Sequence, residues 1–157
     1  MKSIYVTRAF ALANLVFVSV GVWIFACGLW GWRRGFRPQF VSAPFALYFY
    51  IVDAILMAAI FSGLVYSAAR LLRGGALAAR IARLAYICEL LYIFVSLCVV
   101  PVVQVLLPQT WRRWSIMAGS MGLVSLWPQV LTAYPLIGAI AMTLLIRREQ
   151  CEHDTQS

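Results

Sequence analysis

The chain has 157 residues, 64% hydrophobic and 11% charged, with a net charge of +8 and a mean hydropathy of +0.89. A soluble domain carries roughly 25% charged residues, so the composition excludes an ordinary water-soluble fold. The positive balance does not point to nucleic acid either. The basic residues punctuate the ends of apolar stretches, as they do in membrane proteins, and no basic stripe with interleaved aromatics occurs.

Four apolar stretches fenced by arginines account for most of the chain. Arg8 to Arg33 encloses 24 uncharged residues, and Arg37 to Arg70 encloses 32 with the single charge Asp53. Arg83 to Arg112 encloses 28 with the single charge Glu89, and Arg113 to Arg147 encloses 33 with none. A bilayer core of about 30 Å needs about 20 helical residues, and a backbone in lipid must satisfy its own hydrogen bonds. The expectation is an all-α, polytopic integral membrane protein. It is a four-transmembrane-helix antiparallel bundle forming a single membrane domain over 1–157, with spans at 9–31, 45–69, 84–107 and 121–146.

The first stretch follows Lys2 and Arg8 and ends at Ile24-Phe25-Ala26-Cys27-Gly28, loosely like a lipoprotein cleavage site. The bulky Phe25 fits that pattern poorly, so the stretch reads as a retained span. The second stretch carries Ala59, Gly63 and Ser67, four apart, with Ala54 and Ala58 on an adjacent face. Such a helix-packing stripe of small residues lets another helix approach closely. The third span and a second copy of the chain are both possible partners.

Arg70-Leu-Leu-Arg73-Gly74-Gly75 should end the second helix, since glycine favours a helix C-terminus and turn. Residues 70–83 form a basic turn suited to an anionic inner leaflet, and a short connection implies antiparallel neighbours. In the third stretch Tyr86, Glu89, Tyr92 and Ser96 fall on one face at helical spacing. Pro101, Pro128 and Pro135 should kink the third and fourth spans, and broken helices line transporter sites. The polar tail 149–157 is expected to be disordered.

With the N-terminus inside, the inner segments hold Lys2, Arg8, Arg70, Arg73, Arg80, Arg83, Arg147 and Arg148. The outer loops hold Arg33, Arg34, Arg37, Arg112 and Arg113. Eight against five places both termini in the cytoplasm. Twelve arginines against one lysine fit a bacterial coding sequence, hence a bacterial inner membrane.

Counting about 1.5 Å per residue from the inner arginines puts Asp53 about 26 Å above Arg70. The same count puts Gln104 about 32 Å above Arg83 and Gln129 about 27 Å from Arg147. All three approach the outer edge, where Trp30, Trp32, Trp111, Trp114 and Trp127 also fall. Asp53, Gln104 and Gln129 with Arg33, Arg34, Arg112 and Arg113 make a candidate outer polar site for an anion. Glu89, about 9 Å above Arg83 by the same count, is a candidate intramembrane acid. An acid stranded in lipid costs at least about 2.5 kcal/mol. On this count the two acids stand about half a membrane apart.

No catalytic, cofactor-binding or metal-binding residue is assigned. The single histidine, His153, lies in the tail, so bis-histidine haem ligation within the bundle is excluded. Cys27, Cys88, Cys98 and Cys151 form no Cys-x-x-Cys pair and read as buried apolar thiols. Three functions remain. The first is an accessory, assembly or protective subunit acting by contact. The second is a small oligomeric channel or carrier using Asp53 or Glu89. The third is an interfacial lipid-modifying enzyme. Expected partners are membrane lipids, with anionic ones among them, and another membrane protein or a homo-oligomer, with no nucleic acid.

Overall fold

A computed structural model describes residues 2–35, 45–74, 77–106, 109 and 122–154. Among these the chain is helical, with no strand. Helix α1 spans Lys2–Gly35, α2 spans Phe45–Arg73 and α3 spans Ala78–Phe94. A π-helical turn, Val95–Val99, joins α3 to α4, Val100–Leu106. Residues 122–125 are helical, followed by α5, Trp127–Leu131, and α6, Tyr134–Asp154.

Among the described residues three segments are long and apolar enough to cross a membrane: Ile4–Trp30, Ile51–Arg73 and Ala78–Val102. They fit a helical membrane bundle. The helices exceed the expected spans at several ends: α1 begins at Lys2 and reaches Gly35, and α3 begins at Ala78 rather than at 84. Arginine tolerates the last turn of α2 because the cation meets the negative end of the helix dipole.

α1 packs along α2, α2 along α3, and α3 along α6. The buried positions explain these pairings. On α2 they are Asp53, Met57, Phe61, Leu64, Ala68 and Leu71, spaced by four or three residues so that one stripe faces inward. Ala11, Asn14 and Val18 form the same kind of stripe on α1, and Ala78, Ala82, Tyr86, Glu89 and Ile93 on α3. Lipid is as apolar as leucine, so close packing and polar contacts hold such a bundle together. Gly138 of α6 faces the ring of Tyr86, and a Cβ there would come within 2.7 Å of it.

The turn after α2 follows from its glycine. The Gly74 N–H donates to the Arg70 carbonyl at 3.0 Å, and Gly74 has φ +77. That left-handed conformation is the usual end of a helix and favours glycine.

Prolines shape the rest. Pro101 has no N–H to give and its ring crowds the carbonyl four residues earlier. The helix widens just before it, where the Val100 N–H bonds back to Val95. Pro128 and Pro135 act differently from the kinks expected. Pro128 lies in the first turn of α5 and Pro135 in the first turn of α6, where a missing N–H costs nothing. The break falls between them, at Thr132 and Ala133, with Ala133 at φ 49. The Thr132 hydroxyl, 2.9 Å from the Pro128 carbonyl and 3.2 Å from that of Gln129, covers the carbonyls there. The described part of the fourth stretch is thus broken between α5 and α6.

α6 continues to Asp154, so residues 149–154 are helical where a disordered tail was expected. Nothing in Arg147-Arg148-Glu149-Gln150 breaks a helix. Cys27, Cys88, Cys98 and Cys151 are exposed, not buried as expected. The outward face of a membrane bundle meets lipid, which accepts a thiol as readily as a core does.

Candidate functional site

Among the described residues, the buried polar side chains gather in a seam along α3. Its groups stand one helical turn apart on that helix: Tyr86, Glu89 and Tyr92. Each meets a partner from another element.

The first group centres on Asn14, the only asparagine in the chain. Its amide nitrogen donates to the Ser67 hydroxyl at 3.0 Å, which itself donates to the Leu64 carbonyl at 2.8 Å. The Asn14 carbonyl oxygen accepts from Tyr86 at 2.9 Å and lies 2.7 Å from the Tyr134 hydroxyl. The two tyrosine hydroxyls are 3.1 Å apart, and that of Tyr134 also reaches the Phe10 carbonyl at 3.0 Å. One node therefore ties α1, α2, α3 and α6 together. A buried network of this kind is stable only when every member has a partner, and here each does.

The second group is Glu89 with Gln129, both fully buried. When the Gln129 amide nitrogen faces the carboxyl, it donates to both Glu89 oxygens, the longer contact being 3.1 Å. The reverse placing sets the amide oxygen against those oxygens, and only a protonated carboxyl can answer that.

The third group is built around Asp53. Tyr92 donates to its Oδ1 at 2.5 Å and the Gly122 N–H donates to its Oδ2 at 3.0 Å. Gly122 has to be glycine here: a Cβ would lie 2.6 Å from Asp53 Oδ1 and 2.8 Å from Met57 Sδ. The Ser125 hydroxyl closes the same turn, donating to the Gly122 carbonyl at 2.6 Å and lying 3.8 Å from Met57 Sδ.

This arrangement revises the outer site. Asp53 does turn inward, but Gln129 meets Glu89 and not Asp53. The two acids, placed half a membrane apart by rise counting, lie on one seam, because Asp53 bonds Tyr92, one turn along α3 from Glu89. The counting assumed that the inner arginines share a level. Asp53, 17 residues before Arg70, meets Tyr92, nine residues after Arg83, so those two arginines differ in height by about 12 Å, and Gly138 against Tyr86 sets Arg147 and Arg83 about 9 Å apart in the same way. The break at Thr132 and Ala133 shortens the fourth stretch further. Arg112 and Arg113, and the side chains of Gln104, Arg33 and Arg34, lie outside the described residues.

The small-residue stripe divides as well. Ser67 is buried at the Asn14 node. Ala59 is exposed, and nothing comes within 4 Å of a Cβ built on Gly63. Both line an apolar groove of about 670 Å³ between α2 and α3, closed by Tyr66, Leu84, Cys88 and Tyr92.

Sequence reading missed Asn14, Tyr134, Gly122 and Gly138. Asn14 had a signal: a lone amide in an apolar helix, in step with Ala11 and Val18. The glycines had none, since their role depends on which side chain lies opposite.

No family model, curated protein or solved structure matches the chain. Three apolar helices suggest a small membrane protein.

Proposed function

We propose that the protein is a small integral membrane protein that acts by contact, as an accessory, assembly or protective subunit. In this reading the fourth stretch completes a four-helix antiparallel bundle in a bacterial inner membrane, both termini cytoplasmic. The observation that supports it is the contrast between interior and surface. Asp53 is engaged with Tyr92, Glu89 with Gln129, and Asn14 with Tyr86 and Tyr134. Most of what faces outward along the helices is apolar, with a groove lined by the small residues Ala59 and Gly63. Small residues in lipid mark where helices approach. Another membrane protein, a second copy of the chain or an anionic lipid is the partner class.

A photo-crosslinking side chain at Gly63, activated in intact membranes, tests this. The reading expects a discrete protein adduct that an equivalent probe at Leu12, on the exposed face of α1, does not give. Lipid adducts alone at both positions would overturn it.

A second reading, a proton- or ion-conducting channel or carrier, is favoured by one observation, the fully buried Glu89. Intramembrane acids commonly mark ion or proton routes. Flux into proteoliposomes that disappears with Glu89→Gln would support it, and absence of flux would remove it.

A further inference from the structure

We infer that Glu89 and Gln129 form a reversible proton-binding site, in which the Gln129 amide turns over as the carboxyl gains or loses its proton.

The inference begins with the partner. The described partner of this fully buried acid is a neutral amide, not a cation. An arginine would suit only the carboxylate. An amide carries an acceptor and two donors on one rotatable plane, so it suits both states. With nitrogen inward it donates to both carboxylate oxygens. With oxygen inward it accepts from the acid's O–H. The exchange makes and breaks hydrogen bonds only. The proton comes from water and returns to it, and its arrival leaves one O–H bond on Glu89.

The surroundings keep the site distinct. Among the described residues, the titratable groups around it are Tyr86 and Tyr92 on α3 itself, Asp53 from α2 and Tyr134 from α6. α1 brings the Asn14 amide and α5 brings Gln129. Asp53 already accepts from Tyr92 and from the Gly122 N–H, a pair of donors suited to a carboxylate. Tyr86 and Tyr134 are engaged with Asn14. Of the two acids, Asp53 keeps a partner that can only donate, the Gly122 N–H, whereas the amide facing Glu89 fits both of its forms.

The amide also lies close to a break in the chain. Gln129 is three residues before Thr132, where the Thr132 hydroxyl touches the Gln129 carbonyl at 3.2 Å.

The test is infrared difference spectroscopy on the full chain in lipid nanodiscs as the pH is stepped. The wild type should show the C=O band of a protonated carboxyl growing as the pH falls, together with a change in a side-chain amide band. Glu89→Gln should lose the carboxyl band, Gln129→Leu should shift it in frequency and lose the paired amide change, and Asp53→Asn should keep both. If Glu89→Gln does not fold, ¹³C-glutamate in a chain carrying Glu149→Gln and Glu152→Gln isolates the same carboxyl, since these are the other two glutamates. A labelled carboxyl that keeps one protonation state wherever the helices remain intact would overturn the site. So would a band that vanishes with Asp53→Asn and survives Glu89→Gln, or a carboxyl band with no accompanying amide change.

Discussion

Gly138 lies against the ring of Tyr86 so closely that a Cβ would come within 2.7 Å of it. Tyr86 is itself fully buried and held by Asn14 at 2.9 Å, so the ring has nowhere to retreat. Gly138→Val should therefore destabilise the bundle by about 1–3 kcal/mol through overpacking. Gly63→Leu, built into open space, should leave the thermal midpoint in detergent nearly unchanged. Similar midpoints for the two variants would contradict the packing described.

Asn14 links four helices through its amide. Asn14→Leu should cost about 1–3 kcal/mol, because the hydroxyls of Tyr86 and Ser67 lose a buried partner. Ser67→Ala should cost less, since that hydroxyl also has the Leu64 carbonyl. The order of the two midpoints in detergent unfolding checks this, and a reversed order would move the centre of the node away from Asn14.

Asp53 and Tyr92 should behave as one unit. Tyr92→Phe removes a 2.5 Å donor from a buried carboxyl, at a cost of about 1–3 kcal/mol. Asp53→Asn and Tyr92→Phe together should cost clearly less than the two measured singly, as expected for residues in direct contact. Additive losses in a double-mutant cycle would separate them.

Gly74 tests the turn alone. Nothing lies within 4 Å of its would-be Cβ, so Gly74→Ala probes only the left-handed backbone, at about 1–2 kcal/mol. Gly74→Asn should recover part of that loss, since asparagine tolerates this conformation. Equal stability of all three chains would mean that the turn does not limit the fold.

Orientation has its own test. In a variant keeping only Cys151, which is exposed on α6, an impermeant thiol reagent should fail on intact cells and succeed once they are opened. Efficient labelling of intact cells would invert the proposed orientation.

The helical, membrane-spanning character was legible because length and hydropathy suffice to state it. The stripe of Tyr86, Glu89 and Tyr92 was legible for a similar reason, since three-residue spacing on one helix fixes a common face. What joins that face to the rest was not. Asp53 reaches Tyr92, and Gln129 reaches Glu89, through the relative heights of separate helices, and sequence holds no ruler for those. The break at Thr132 and Ala133 was hidden by its neighbours. Pro128 and Pro135 looked like interruptions, yet each begins a helix.

The π-helical turn at Val95–Val99 has a consequence for phase. Its wider loop adds about one residue to the turn, and one residue of an α-helix is a rotation of about 100°. Everything after it is therefore turned relative to α3. Among the described side chains of α4, Pro101 and Val102 are exposed. The extra residue works as a punctuation mark: it resets the register and lets one continuous rod present two different sides.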